Sequence, residues 1–296
     1  MQPLVSIVVI TFQHKVFIKQ CLDGILMQKT DFAFEIILGE DESTDGTREI
    51  CIEYAEKHTD KIKLFLRSRK DVIYINGLPT GRYNFIESLK AAKGKYIALC
   101  EGDDYWTDPY KLQRQVDFLE ANPDYSICFH AVEKRFEEPE KPSVYNGASC
   151  KIRSNIYDLA YDNYITTCSV IYRNKFGKEL PFWFNKIPVG DWGLHLIAAG
   201  FGDIYYIPNI MAVYRVHKGG IWGSQSNIQE YKRTIEIYDK FIEAFADNEL
   251  LVKQFIKGKK DTLKIVRNYK PWIGRKIWRK LLSISIKKLT KLRDNW

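Results

Sequence analysis

Short apolar runs alternate with segments of helical spacing through the first third of the chain, and that alternation constrains the fold more than any other feature. Leu4 to Ile10 (L-V-S-I-V-V-I) is largely β-branched, the pattern of a strand buried on both faces of a parallel sheet. It ends at Thr11, Phe12 and Gln13. Ile18, Leu22, Ile25 and Leu26 then recur at helical spacing, which predicts one amphipathic helix of about four turns before Thr30 and Asp31. Phe34 to Leu38 reads as a second strand. Gly39 to Thr47 (G-E-D-E-S-T-D-G-T) follows it, with Ser43, Thr44 and Asp45 as caps for a helix carrying Ile50 and Tyr54. Ile62 to Leu66 is a third strand, and a loop with Asn76, Gly77, Pro79 and Gly81 leads to a helix carrying Phe85, Ile86 and Leu89. Gly94 closes that helix before a fourth strand, Tyr96 to Cys100. Such alternation implies right-handed β-α-β units in a mostly parallel sheet, with ligands beyond the carboxyl ends of the strands.

The fourth strand stops abruptly in Glu101, Gly102, Asp103 and Asp104. A helix follows, with Asp108 placed to cap it and Pro109 in its first turn. Carboxylates this close repel one another unless a cation is shared among them, and hard oxygen ligands suit Mg2+ or Mn2+. The plainer reading is a solvated acidic turn. Thr11, Asp41 and the Asp103-Asp104 pair all fall just past strand ends, so a parallel sheet would gather them on one rim. Neither G-x-G-x-x-G after the first strand nor G-x-x-x-x-G-K-[ST] occurs, which sets aside NAD and P-loop chemistry.

Beyond the helix of Leu112, Val116 and Leu119, ended by Asn122 and Pro123, the pattern is mixed. Ser126 to Val132 and Ile165 to Tyr172 read as strands, with a polar loop around Glu137 to Pro142. Pro188 to Trp192 (P-V-G-D-W) opens an apolar helix through Leu194, Leu196 and Ala199; Asp191 at its amino end is either its cap or a functional carboxylate. Ile204 to Ile207 and Ile210 to Tyr214 are further strand-like runs, followed by Y-R-V-H-K-G-G, Tyr214 to Gly220. Ile228, Tyr231, Ile235, Tyr238, Ile242 and Phe245 fit a helix, and further helical stretches run through Leu263 and from Ile277 to Ile286. The net charge of +8 belongs to the tail: Leu251 to Trp296 holds 15 Lys or Arg against two Asp, leaving the first 250 residues at −5. Around Trp272 to Leu282 the mix of aromatic, aliphatic and cationic side chains suits either an anionic membrane surface or a solvated face of a helical cap. Six scattered cysteines without C-x-x-C spacing read as reduced thiols, not disulfides or a zinc site. The start of the chain shows no signal peptide and no run reaches membrane-span length, so the expected location is cytoplasmic, with peripheral contact at the inner face of the cell membrane as an option.

Taken together, V-S-I-V-V-I-T-F-Q, E-D-E-S-T-D-G-T and E-G-D-D-Y-W, in this order and spacing, resemble the inverting family 2 glycosyltransferases of bacterial polysaccharide type, over about residues 3–220. The resemblance implies an α/β fold of GT-A type: a mostly parallel central sheet flanked by helices, here with a helical carboxyl-terminal extension. It implies a catalytic domain over 1–222, nucleotide-sugar side about 1–122 and acceptor side about 123–222, followed by a basic extension over 223–296. It also implies a nucleoside diphosphate sugar donor, with UDP as first expectation, a divalent metal (Mn2+ or Mg2+), and a hydroxyl of a glycan or lipid-linked glycan as acceptor. By resemblance, Asp41 serves the nucleotide base, Thr11 and Phe12 border the nucleoside, and Asp103 and Asp104 contact ribose and metal. Asp191 is the general base. Arg82 and Arg215 are nucleotide-sugar contacts, and His217 is a metal or diphosphate contact. Glu101 stands where an Asp is more frequent, so the choice among Glu101, Asp103 and Asp104 as metal ligands stays open. The competing readings are a nucleotidyltransferase, whose Gly-rich phosphate grip is missing, and an inactive basic membrane- or nucleic-acid-binding protein, against which the run of acids from Asp41 to Asp191 speaks. No nucleic-acid partner is expected.

Overall fold

The chain is described by a computed structural model covering residues 2–137, 143–146, 150–175, 179–220 and 227–269. The opening alternation folds as β1 (Val5–Thr11), α1 (Ile18–Leu26), β2 (Phe34–Glu40), α2 (Thr47–Lys57) and β3 (Ile62–Leu66). A small hairpin of β4 (Ile73–Ile75) and β5 (Leu78–Thr80) follows, then α3 (Arg82–Ala91) and β6 (Tyr96–Leu99). The remainder runs β7 (Tyr105–Trp106), α4 (Lys111–Ala121), β8 (Tyr125–Phe136), β9 (Val144–Asn146), β10 (Arg153–Ser154), α5 (Ile156–Tyr161), β11 (Ile171–Arg173), α6 (Gly190–Ala199), β12 (Asp203–Val216), α7 (Asn227–Ala244) and α8 (Glu249–Tyr269). One large sheet runs β10-β12-β8-β11-β6-β1-β2-β3. Strands β6, β1, β2 and β3 are parallel, as the alternation requires, whereas β11 runs antiparallel to both β6 and β8 and makes the second half mixed.

Successive β1 side chains point to opposite faces, and each face has its own core. Val5, Ile7 and Val9 pack with Ile18 and Leu22 of α1, Cys51 of α2 and Leu112 of α4. Val8, Ile37 and Leu99 belong to the other core with Phe85 of α3, Trp192 and Leu196 of α6, and Ile237, Phe241 and Phe255 from α7 and α8. The sheet is therefore sandwiched between helices, and α7 and α8 complete the second layer. All six cysteines are free thiols. Among the described residues no helix is long and apolar enough to cross a membrane. The boundary near 222, the loop beyond Glu137 and the basic segment from Trp272 to Ile286 lie outside the described residues.

Several elements differ from their sequence patterns for local reasons. Helix α1 ends at Leu26, short of four turns, because the chain leaves it to bond α4: the Lys29 amide donates to the Pro109 carbonyl at 2.8 Å and the Leu112 amide to Gln28 Oε1 at 3.1 Å. The stretch read as a loop around Asn76 is a hairpin whose Asn76 and Gly77 both take positive φ (53° and 76°), the conformation of an Asn-Gly turn. Of the strand expected from Ile165 to Tyr172, only Ile171 and Tyr172 lie in β11, because Ser169 turns back on Thr166 through both its amide and its hydroxyl. The two runs from Ile204 are one strand, β12, with its register shifted between Ile207 and Ile210, where Pro208 has no amide to donate. A two-residue strand, β7, intervenes between the acidic turn and α4 and pairs with β12. Helix α5 carries a capping box, Asn155 with Asp158.

Helix α8 crosses close to α5, and a Cβ on Gly258 would collide with the Tyr161 carbonyl and the Tyr238 hydroxyl. Gly258→Ala is expected to cost about 2 kcal/mol by overpacking, read as a lower midpoint in urea denaturation. An unchanged midpoint would show that α8 does not dock on α5 as described.

Candidate active site

Three loops meet at the carboxyl edge of β6, β1 and β2. Thr11 pairs with Glu40 at the end of the β1–β2 ladder, the Asp41 amide donates to the Thr11 carbonyl at 3.1 Å, and the Gly102 amide donates to the Ile10 carbonyl at 3.0 Å. The rim expected from the sequence is thus formed. Gly102 fits because nothing larger would: a Cβ there would lie 2.5 Å from Thr11 Oγ1 and 2.9 Å from His14 Nδ1.

At one end of the rim, Asp41 is buried and its Oδ2 accepts from Arg69 Nη1 at 2.6 Å. The Arg69 guanidinium also lies 4.4 Å over the ring of Phe12, which is half-exposed. Burial raises the Asp41 carboxyl above its ordinary range, and Arg69 opposes that shift. Glu40 has a different task. Fully buried, it accepts from the Ser43 amide at 2.6 Å and from Arg48, holding the turn in which Glu42 takes a positive φ. Asn84 donates to the Gly39 carbonyl at 2.8 Å and locks α3 onto β2.

At the centre, ligand oxygens of Glu101, Asp103 and Asp104 all lie within 4.8 Å of one another. Asp104 Oδ1 accepts from the Arg215 amide at 2.8 Å. Asp103 Oδ2 faces His217 Nε2 at 3.1 Å and His14 Nε2 at 3.6 Å. Their other oxygens, Asp103 Oδ1 and Asp104 Oδ2, are buried without a hydrogen-bond partner. Burial, then the charges of Asp103 and Asp191, push the Glu101 carboxyl up to about 8. Burial, then the charges of Asp103 and Glu101, hold Asp104 well above the usual range. Asp103 moves the other way: burial alone would raise it, but the His217 hydrogen bond and the His14 charge leave it lowered. His217 is raised in turn, first by its hydrogen bond to Asp103. Two orphaned carboxylate oxygens facing a third carboxylate form a donor set lacking only positive charge, and hard oxygen ligands of this kind fit Mg2+ or Mn2+.

Arg215 braces this cluster without pointing a free fork into it. Its side chain donates to the Asp103 carbonyl and to Gln20, and its guanidinium carbon lies 4.3 Å from the Tyr105 ring centroid. Pairing of β7 with β12 brings Arg215 here from more than 100 residues away.

Asp191 stands in the first turn of α6. It does not cap that helix: Val189 holds the cap position and makes no side-chain hydrogen bond. Thr167 Oγ1 approaches Asp191 Oδ2 at 3.5 Å, and the Asp191 charge acts on Glu101. Arg82, at the start of α3, lies beneath this region, donating to the carbonyls of Phe184 and Ile187. His14 and Arg69 join the site without having been singled out by sequence. His14 follows the strand-end T-F-Q directly, and that adjacency was the available signal.

Residues 6–180 match the family model described as Glycosyl transferase family 2, well over half of the 296-residue chain. The chain belongs to that family. The Mycobacterium tuberculosis protein Rv1520 is 39% identical over 220 residues, covering 74% of this chain and 60% of the relative. Among solved structures, TarS from S. aureus with UDP-GlcNAc superposes with a TM-score of 0.60 at 15% identity, over 93% of this chain and 77% of that one. The mannosyltransferase PcManGT from Pyrobaculum calidifontis, in complex with GDP-Man and Mn2+, gives a TM-score of 0.58 at 17% identity, over 99% and 83%. At such identities the structures establish the shared fold, the α/β architecture of GT-A type with its curled central sheet. The family 2 match stops before α6, so Asp191, Arg215 and His217 rest on geometry.

Proposed function

We propose that this family 2 chain transfers a sugar from a nucleoside diphosphate sugar to an acceptor hydroxyl by single displacement, with inversion at the anomeric carbon. What supports the reading is the carboxylate cluster of Glu101, Asp103 and Asp104 past the end of β6, together with Asp191 in the first turn of α6, whose charge acts on Glu101. In this reading, Asp191 takes the proton from the acceptor hydroxyl as its oxygen bonds to the anomeric carbon. The bond from that carbon to the diphosphate oxygen breaks, and the nucleoside diphosphate leaves with the electron pair. No nucleophilic side chain is required.

Asp41, Phe12 and Thr11 are assigned to the nucleoside, with Arg69 positioning Asp41 and covering the Phe12 ring. Asp103, Asp104 and Glu101 are the residues to hold a divalent cation, Mn2+ or Mg2+, with His217 and His14 setting the orientation of Asp103. When bound, such a cation supplies Lewis-acid neutralisation of the departing diphosphate. Arg215 holds the acidic turn in place through the Asp103 carbonyl and the Asp104 carboxylate. The catalytic unit is assigned to 1–222, with 223–296 as a helical extension, and the acceptor to glycans or lipid-linked glycans. UDP is the first nucleotide to test. The two structural neighbours bind UDP-GlcNAc and GDP-Man, so the guanine series belongs in the same experiment.

Thermal-shift measurements with UDP, GDP, UDP-GlcNAc and GDP-mannose, each with and without Mn2+, test this reading. At about a hundredfold excess over Kd, ligand binding adds roughly 2.7 kcal/mol, which raises Tm by several degrees in a chain of this size. The expected result is a rise with one nucleotide series that depends on Mn2+. No rise with any of them in Mn2+ would sink the nucleotide-sugar assignment.

A further inference from the structure

Arg82 presents a cation where burial is costly. Its side chain is almost wholly inaccessible, with 5% of the residue exposed, at the first position of α3. Nothing in the hydrophobic layer around it calls for a charge: its guanidinium carbon lies 4.5 Å from the Phe184 ring centroid. The fork is nevertheless fully directed. Nη1 donates to the Phe184 carbonyl, and Nη2 donates to the Ile187 carbonyl at 3.1 Å. Gly190 packs directly on the same group, since a Cβ there would lie 3.5 Å from both Nε and Nη2. The next residue is Asp191. The segment entering α6 has no side-chain cap of its own, and the Arg82 fork ties down two carbonyls ahead of the helix.

We propose that Arg82 is a positioning residue for Asp191: its guanidinium fixes the Phe184–Gly190 approach to α6, and its charge sits beneath the carboxylate that faces the acceptor. This rests on the assignment of Asp191 as base and departs from the nucleotide contact that family resemblance suggests for Arg82. The rim that would receive a nucleoside has its own arginine, Arg69, on Asp41 and Phe12. Arg82 is directed instead to backbone carbonyls more than 100 residues away on the acceptor side. Arginine suits the task because a planar fork can span two carbonyls, whereas an ammonium is a single point charge. The groups on which the Asp191 charge acts are the carboxyl of Glu101, the guanidinium groups of Arg82 and Arg233, and His195, Tyr172 and Tyr214.

The test compares full-length Arg82→Lys and Arg82→Gln with the parent chain and with Asp191→Asn. Three readouts are taken: amide hydrogen exchange, affinity for UDP and GDP in Mn2+, and kcat and KM for hydrolysis of UDP-GlcNAc and GDP-mannose. Exchange across 184–192 should quicken by about tenfold or more in both Arg82 variants, while 39–47 and 100–107 stay as in the parent. Nucleotide affinity should stay within about twofold, and kcat should fall by about tenfold to a hundredfold at constant donor KM. Lysine, which keeps the charge, should recover part of the kcat that glutamine loses. Nucleotide affinity falling in step with kcat would return Arg82 to the donor site and overturn the proposal, as would unchanged exchange across 184–192. Full activity in Asp191→Asn would instead overturn the assignment of the base. An inactive Asp191→Asn beside fully active Arg82 variants would overturn the positioning role alone.

Discussion

Asp191→Asn is expected to lower turnover by about 10²- to 10⁴-fold, the usual contribution of a general base, while affinity for the Mn2+-bound nucleotide stays within about twofold. The separation of the two effects follows from where the residue stands. Asp191 belongs to α6, on the sheet face built from α3, α6 and α7, where Thr167 Oγ1 donates to its Oδ2. The rim that would hold the nucleotide is built from β1, β2 and β6 and shares no backbone hydrogen bond with that helix. Asparagine keeps the shape and the Thr167 contact but cannot accept a proton at neutral pH. Acceptor-independent hydrolysis should fall as well, since water needs the same base. The measurement is nucleoside diphosphate release alongside calorimetric nucleotide binding. If rate and affinity dropped together, Asp191 would belong to the donor site or to the fold. If neither changed, the proton would have to leave by another group.

The first half of this architecture was legible because buried parallel strands announce themselves. β1 and β6 are short, largely apolar and buried runs, and once they and their neighbours are placed in parallel order, Thr11, Asp41 and Asp103 must share an edge. Short-range chemistry that competes with strand formation was harder to read. Ser169 folding back on Thr166 shortens an apolar run that looks like a strand to three residues. The Asn76-Gly77 hairpin carried its signal openly, in a dipeptide suited to positive φ at both positions between two short β-prone triplets. Longer-range partners left no local trace. That Arg69 would reach Asp41, or Arg82 the Phe184 carbonyl, follows from how loops pack on the finished sheet, and nothing in the spacing encodes it. Resemblance could name Arg82 as important, but its direction required the fold.

Asp103→Asn should remove the response to divalent cations while leaving the metal-free protein close to its original stability. The carboxylate at this position has two unlike sides. Oδ2 is held by His217 at 3.1 Å with His14 beyond it, whereas Oδ1 is buried and unpartnered beside Glu101 and Asp104. Without a cation, the gain from the histidines opposes the repulsion from the two acids, and neutralising Asp103 cancels both. The change in metal-free stability should therefore stay within about 1 kcal/mol, as for a substitution that removes one favourable and one unfavourable charge contact. With Mn2+ the same change removes a ligand charge from a donor set with nothing to replace it. The Mn2+-dependent part of the nucleotide-induced Tm rise should disappear, and turnover should fall by about 10³-fold, the scale of losing electrostatic stabilisation of a leaving group. A merely solvated acidic turn predicts the opposite on both counts, because its asparagine variant would keep whatever Mn2+ response the parent shows. The decisive comparison is Tm of parent and variant in EDTA and in Mn2+, each with nucleotide present, since it does not depend on knowing the acceptor. Retention of the Mn2+ response in Asp103→Asn would move the cation, and the leaving-group chemistry assigned to it, away from the end of β6.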